Sequence, residues 1–252
     1  MTYEHGYTAA VADSFAFALG GDNWTRLSAH DATISRERVQ GDLARLRDLG
    51  VKIDFGDGEV TAVPAAAADV IAGLDAQLQR IRTAAPVVFA SGADTFARVM
   101  CTDPWPRLYT TAVLRWPSDT PVHLVQASDL AAVPEQWENV PQLAKFPELR
   151  MLRLFGSPLD RAIWPLELGG FRELLAIDLS VSRLCAVPPD LANASALEAV
   201  ELGENPLGAS SLDVLARLPR LRYVGLRRTG LGPADIAGLR AKLPAGCELA
   251  LS

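Results

Sequence analysis

The sequence contains few of the residues that build covalent or metal-bound sites. Its 252 residues include three cysteines and three histidines, and neither type forms the close pairs that metal sites require. Three widely spaced cysteines do not suggest a disulfide framework, which indicates free thiols in a reducing compartment. A phosphate-binding loop, a dinucleotide-binding turn and a nucleophile turn are absent as well. We therefore expect no metal, no cofactor, no catalytic residues and no enzymatic activity.

Signals for export and membrane insertion are also lacking. No lysine or arginine precedes Arg26, so the N-terminus does not have the positive region of a signal peptide. No run of 18 apolar residues occurs, and the most apolar stretch, 62–74, is interrupted by Asp69. The net charge of −6 counts against a nucleic-acid partner unless basic residues cluster locally. These features predict a cytoplasmic protein without a membrane span.

The C-terminal half is dominated by one recurring leucine pattern. The pattern recurs from Leu149 onward. It consists of a leucine, two residues, an aliphatic residue, one residue, a second leucine, two residues, a small polar residue, one residue and a third leucine. The copies are LRMLRLFGSPL (149–159), LLAIDLSVSRL (174–184), LEAVELGENPL (197–207) and LRYVGLRRTGL (221–231). Their starts lie 23 to 25 residues apart, and such a period is typical of a solenoid.

This pattern resembles the leucine-rich repeat family over about residues 140–252. The resemblance implies an α/β fold in which each copy supplies one short strand to a parallel sheet and stacked copies share one core. The family's asparagine is Asn205 in the third copy. The other copies have Ser157, Ser182 and Thr229 there, whose hydroxyls can still hydrogen-bond the turning backbone.

Alternate side chains on these strands point away from the core and form the concave face of the predicted sheet. Two interpretations remain open for them. Facing charges, such as Arg153 with Asp178 and Glu204 with Arg228, simply solvate the sheet, or exposed Met and aromatic side chains anchor a protein partner. The partner-binding residues that we predict on this face are Met151, Arg153, Phe155, Asp178, Glu201, Glu204, Tyr223, Arg227 and Arg228.

The segment CELAL (247–251) predicts a further strand at the C-terminal edge of the sheet. An uncovered parallel edge can pair with another chain. We therefore expect either self-association or partner binding at this edge, or a short twisted edge that needs no cover.

The first 63 residues follow a different pattern. We predict three helices, marked by an apolar stripe over 10–19, over Trp24–Ala32, and over 35–50 with Ser35 as its N-cap. Two short strands follow them at 51–55 and 59–63. This order, and the segment ATISRERVQGDLARLRDLGVKIDF, resemble the winged helix-turn-helix of bacterial DeoR-type and WYL-type regulators over residues 24–63.

The winged-helix resemblance implies that Arg36, Arg38, Arg45 and Arg47 contact DNA. The charge of this region counts against that role, because residues 1–63 hold six basic and ten acidic residues, and phosphate contacts need a positive surface. The alternative is a small α+β unit that caps the N-terminal end of the repeats.

The predicted order is a winged-helix-like or capping domain over 1–63, a connecting helix over 64–85, a junction over 86–140 and the repeats over 141–252. Within the junction we predict strands at 86–90, 109–116 and 121–127, of which the last two are candidates for degenerate repeats.

From these elements we expect a bacterial, non-enzymatic interaction module that binds an unknown protein partner through the concave sheet face. The alternative is a transcription regulator whose N-terminal domain binds DNA and whose repeats sense a partner.

Overall fold

The computed structural model describes residues 21–50, 64–102, 124–126, 143, 146, 148–156, 159 and 168–252. The described residues fall into two compact units, the first within 1–90 and 97–107 and the second within 91–96 and 108–252. The helix predicted at 10–19, the hairpin predicted at 51–63 and the strand predicted at 109–116 lie outside the described residues.

The described part of the first unit is helical. It contains α1 (Gly21–His30), α2 (Arg36–Asp48), a 3₁₀ turn (Ala65–Ala67) that leads into α3 (Ala68–Val88), and part of α4 (Thr95–Thr102). Ser35 caps α2 as predicted, because its hydroxyl accepts a hydrogen bond of 3.2 Å from the backbone N–H of Arg38. Helix α2 is followed by Gly50 in the left-handed region (φ 79°), which favours glycine.

Helices α1 and α2 both pack against α3. The apolar residues between them are spaced three or four positions apart along each helix, which puts them on one face. The buried residues of this core include Leu27, Val39, Leu43, Leu46, Val70, Leu74, Leu78 and Ile81. Buried Gln77 accepts a hydrogen bond of 3.1 Å from the N–H of Ser35, so α3 also supports the start of α2.

The strand predicted at 86–90 is wrong, because α3 continues to Val88 with Pro86 inside the helix. Ile81, Ala85 and Phe89 follow one another at four-residue spacing and are each 0% exposed. Burial of this stripe in the helical core outweighs the preference of two consecutive valines for a strand.

The second unit contains one six-stranded parallel sheet, with the strands adjacent in chain order. They are β1 (Leu124–Gln126), β2 (Met151–Arg153), β3 (Ala176–Asp178), β4 (Ala199–Glu201), β5 (Tyr223–Gly225) and β6 (Glu248–Ala250). The pairing aligns Val125, Leu152, Ile177, Val200, Val224 and Leu249 in one row. Strand β1 lies within the predicted segment 121–127, and β6 lies within the predicted segment 247–251.

The leucine that follows each of the strands β2 to β5 lies in the core beneath the sheet. Leu154, Leu179, Leu202 and Leu226 are between 0% and 2% exposed. The chain returns between strands through 3₁₀ stretches at Leu168–Gly170, Pro189–Asn193 and Ala209–Arg217 and through helix α5 (Pro233–Arg240). The stretch Ala209–Arg217 buries Leu212 and Leu215, so a helical return is present there in 3₁₀ form.

Candidate functional site

The turns that follow the strands are held by the small polar residue of the leucine pattern. Asn205 is 0% exposed, and its amide nitrogen donates to the carbonyl oxygens of Leu179 and Leu202 at 2.9 and 2.8 Å. Its side-chain oxygen accepts from the backbone N–H groups of Ser182 and Leu184 at 2.9 and 3.0 Å. Asn205 therefore joins its own turn to the turn of the preceding copy.

Ser182 and Thr229 occupy the asparagine position and bond the turning backbone as predicted, with fewer bonds than Asn205 makes. The hydroxyl of Ser182 donates to the carbonyl oxygens of Leu154 and Ser180 at 3.2 and 3.0 Å. The hydroxyl of Thr229 donates to the carbonyl oxygen of Leu226 at 2.8 Å. Because neither side chain carries an amide, neither matches the set of bonds that Asn205 makes.

The residue before this polar position has a left-handed backbone in all four copies. The φ angles are 73° at Gly156, 56° at Val181, 58° at Glu204 and 52° at Arg228. Sequence reasoning missed this feature, and only Gly156 carried a signal for it. A β-branched residue such as Val181 rarely adopts this conformation, since its side chain crowds the backbone.

The first outward row of the sheet is covered by the chain itself. Met151, Ala176 and Ala199 are 0% exposed and Tyr223 is 6% exposed. The predicted exposure of Met151 and Tyr223 is therefore wrong.

The segment 91–96 supplies the cover that the structure describes at Tyr223. The ring of Phe96 meets that of Tyr223 edge to face, with the centroids 6.5 Å apart. Gly92 lies against the carbonyl of Arg222, where an added Cβ would be 2.2 Å from the oxygen. This close approach requires a glycine, and it keeps the segment on the outer side of β5.

The second outward row carries charges that are bonded within the sheet. The guanidinium of Arg153 lies 3.1 Å from a carboxylate oxygen of Asp178, so the predicted pair is present. Asp178 is 5% exposed, and its other oxygen accepts from the N–H of Ser180 at 3.1 Å. The Asp178 carboxylate is thus committed to Arg153 and to its own turn.

Glu201 repeats this arrangement on the neighbouring strand. One carboxylate oxygen accepts from the N–H of Gly203 at 3.0 Å, and the other accepts from the hydroxyl of Tyr223 at 3.1 Å. The carboxylate lies over Gly225, where an added Cβ would be 2.1 Å from it. Burial, the negative charge of Glu201 and this hydrogen bond raise the pKa of Tyr223 to about 12.

The remaining charged residues of the predicted face are exposed. Glu204 and Arg228 form the predicted cross-strand pair, with nitrogen and oxygen 3.5 Å apart, while their side chains are 51% and 81% exposed. Arg227 is exposed beside them. Pairs of this kind contribute little stability, so these side chains are available to a partner at small cost.

Two large apolar side chains remain exposed next to this charged row. Phe155 is 42% exposed and Val181 is 37% exposed. They lie on adjacent turns, because the N–H of Gly156 donates to the carbonyl of Ser180 at 3.0 Å. Of the predicted apolar anchors, only Phe155 is exposed, and Val181 joins it.

The four predicted DNA-contacting arginines, Arg36, Arg38, Arg45 and Arg47, are all exposed on α2. Helix α2 also carries Glu37, Asp42 and Asp48, and Arg45 lies 3.7 Å from Asp42. The hairpin that would complete a winged helix lies outside the described residues, so the winged-helix interpretation stays a prediction.

Two thiols, those of Cys101 and Cys247, are poor nucleophiles. Burial raises the pKa of Cys101 to about 12, and burial together with the charge of Glu248 raises the pKa of Cys247 to about 11. Both are therefore protonated at neutral pH. Within the described ranges, no group of three or more histidine, cysteine or acidic residues is arranged to hold a metal ion. No helix in the same ranges combines the length and the apolar character that a membrane span requires.

No protein-family model matches the sequence, and no curated protein matches it. Among solved structures, the chain is similar to a leucine-rich-repeat protein of Leptospira interrogans, with 17% identity and a TM-score of 0.39 over 56% of this chain. It is also similar to the leucine-rich repeat-containing protein LegL7 from Legionella pneumophila, with 17% identity and a TM-score of 0.39 over 57% of this chain. The chain spans 34% of the first structure's length and 52% of the second's.

Proposed function

We propose that the C-terminal unit is a leucine-rich-repeat solenoid that binds a protein partner, without catalysis, through the exposed side chains at the ends of its strands. The observation that carries this proposal is the exposed apolar pair formed by Phe155 and Val181. Exposed Phe and Val side chains on adjacent turns beside charged residues have the composition of an interface centre with a polar rim.

The backbone of Val181 adds a second argument. Left-handed geometry costs about 1–2 kcal/mol for a residue with a side chain, and β-branching makes it less favourable. The equivalent position in the first copy is Gly156, so the turn does not need a valine. A valine at a position whose left-handed backbone would suit glycine better is a reason to look for function at Val181.

The charged residues around this pair define the rim of the proposed site. Arg153, Glu204, Arg227 and Arg228 present both signs of charge, which favours a protein surface over a uniformly anionic polymer. Asp178 and Glu201 position this rim through their bonds to neighbouring groups. Met151 and Tyr223 are left out of the proposed site because they are buried.

Affinity capture from a lysate of the source organism, with mass spectrometry, tests the proposal. We expect the intact protein to enrich a partner that the double variant Phe155→Ala, Val181→Gly no longer enriches. The matched control is Val87→Ala, which shortens a valine that is 65% exposed on α3. Partners retained equally by all three proteins would refute the proposed surface.

The alternative, a transcription regulator that reads DNA through α2, is less well supported. Its four arginines are exposed, but three acidic residues share the helix. Gly41 lies in the middle of that helix and has nothing within 4 Å of an added Cβ. A glycine there lowers helix stability by up to about 1 kcal/mol, with no close packing that requires it.

A further inference from the structure

A short segment of the chain, residues 91–96, lies against the outer side of β5, and we call it the strap. It belongs to the second unit, although the chain on either side of it belongs to the first. The ring of Phe96 packs on the ring of Tyr223, and Gly92 lies against the carbonyl of Arg222. Because the chain continues at both ends of the strap, a strap that leaves the sheet stays close enough to return.

The strap contains hydrogen bonds that do not depend on the sheet. The N–H of Asp94 donates to the carbonyl of Ser91 at 3.2 Å, and the N–H of Thr95 donates to the carbonyl of Gly92 at 3.1 Å. The hydroxyl of Ser91 donates to the carboxylate of Asp94 at 2.8 Å. The strap can keep these three bonds when it moves away from the sheet, since both partners of each bond move together.

The sheet beneath the strap has bonds of its own. The carbonyl of Arg222, which Gly92 approaches, accepts a hydrogen bond of 2.8 Å from the N–H of Glu248. The N–H of Tyr223 donates to the carbonyl of Glu198 at 3.0 Å. Because these bonds join neighbouring strands, removal of the strap leaves them in place.

One strap residue makes the docked position less favourable. Thr95 is 0% exposed, and its hydroxyl is the one buried side-chain oxygen or nitrogen among the described residues that has no hydrogen-bond partner. Burial of such a hydroxyl costs free energy, because water would bond it in an exposed position. The cost is of the same order as the contribution of an edge-to-face aromatic pair. The hydroxyl of Thr95 therefore offsets much of what the contact between Phe96 and Tyr223 contributes.

We propose that the strap is a reversible cover, which leaves Tyr223 while the strands of the sheet stay paired and so controls access to the outward face of β5. In the released state the hydroxyl of Thr95 bonds water and the ring of Tyr223 is exposed. An exposed aromatic ring on a sheet face favours contact with another molecule, so the docked strap acts as an autoinhibitory contact. The proposal involves none of the residues of the surface around Phe155 and Val181, so either proposal can fail without the other.

Nitration of tyrosine by tetranitromethane measures release of the strap, because the reagent must reach the ring. The intact protein is treated without denaturant, and the nitrated peptide that contains Tyr223 is quantified by mass spectrometry. Thr95→Val replaces the unpaired hydroxyl with a methyl group of similar size, so it should favour docking and slow the reaction about fivefold or more. Ala93→Ser, at an exposed position of the strap, is the matched control and should change the rate by less than about twofold.

Two further variants should act in the opposite direction. Gly92→Ala places a Cβ 2.2 Å from the carbonyl oxygen of Arg222, and Phe96→Ala removes the ring that covers Tyr223. Each should speed the nitration of Tyr223. Hydrogen exchange at the N–H of Tyr223 should stay close to that of the wild type in both variants, because its bond to Glu198 belongs to the sheet.

Two outcomes would overturn the proposal. The first is a nitration rate in Thr95→Val that equals or exceeds the wild-type rate. The second is nitration of Tyr223 that keeps pace, in every variant, with hydrogen exchange at its own N–H, since the sheet would then open together with the strap.

Discussion

Replacing Asn205 by alanine is the sharpest test of how the repeat unit is held together. The side chain makes four hydrogen bonds of 2.8 to 3.0 Å to backbone groups of two successive copies. Alanine removes both the amide and the side-chain oxygen. The N–H groups of Ser182 and Leu184 then lose their acceptor in a region that is buried from solvent.

The size of the effect follows from those two donors. A buried donor without a partner costs about 1–3 kcal/mol, so the two together predict a loss of about 2–6 kcal/mol. We expect the middle of this range, because water entering the space left by the amide can satisfy part of the deficit. A loss of that size is a large share of the roughly 5–15 kcal/mol by which a folded domain is typically stable.

Urea denaturation followed by circular dichroism measures the global effect, and hydrogen exchange at the amides of Ser182 and Leu184 measures it locally. Ser182→Ala removes a hydroxyl with two bonds and should cost less. Asn193→Ala is the matched control, because Asn193 is exposed and its side chain has no hydrogen bond among the described residues. Equal stability of the Asn205→Ala and Asn193→Ala proteins would refute the reasoning.

Three further predictions concern the sheet face and the first unit. Gly225→Ala should destabilise the protein by about 1–3 kcal/mol in urea denaturation, because the added Cβ displaces the Glu201 carboxylate from its bonds. In a Glu201→Ala background most of this cost should vanish, and a cost that persists there would contradict the explanation. The pKa of Tyr223 is raised from 10.0 to about 12, so its neutral form contributes stability that is complete below pH 10 and lost as the pH rises towards 12. Urea midpoints should therefore fall more steeply over that interval in the wild type than in Tyr223→Phe, and parallel curves would count against the assignment. Binding of mixed genomic DNA fragments is measured at low and moderate salt, and we expect no binding at either. Binding at low salt that weakens steeply as the salt concentration rises would favour the regulator alternative.

Several parts of the site could be predicted from the spacing of the leucine pattern. Equivalent residues of successive copies lie side by side in the sheet, which is why Arg153 faces Asp178 and Glu204 faces Arg228. The role of Asn205 follows from the same spacing, since a polar residue at a fixed position in each turn meets the turn before it. These features depend only on contacts between neighbouring copies.

Other parts depend on residues that are distant along the chain. Met151 and Tyr223 occupy outward positions in the strand alternation, as predicted, but both residues are buried. At Tyr223 the described cover is the segment 91–96, which precedes it by more than 100 residues. In α3, the stretch around Pro86 remains helical because its apolar residues continue a buried stripe. Neither result can be predicted from the local sequence pattern. The alternation of side chains determines which face of a strand a residue is on, but the segments that pack on that face determine whether the residue is buried.

The leucine pattern alone is thus enough to derive which side chains point inward, how the strands align and which polar residue holds each turn, because these follow from a short period repeated along the chain. Two properties emerge only once the chain is folded: which outward side chains remain exposed, and the left-handed backbone of Val181. The first of these depends on which other segments of the chain pack over each part of the sheet. Residues on the outer face are buried by segments that are distant along the chain, so their burial cannot be derived from the sequence of any single copy of the repeat.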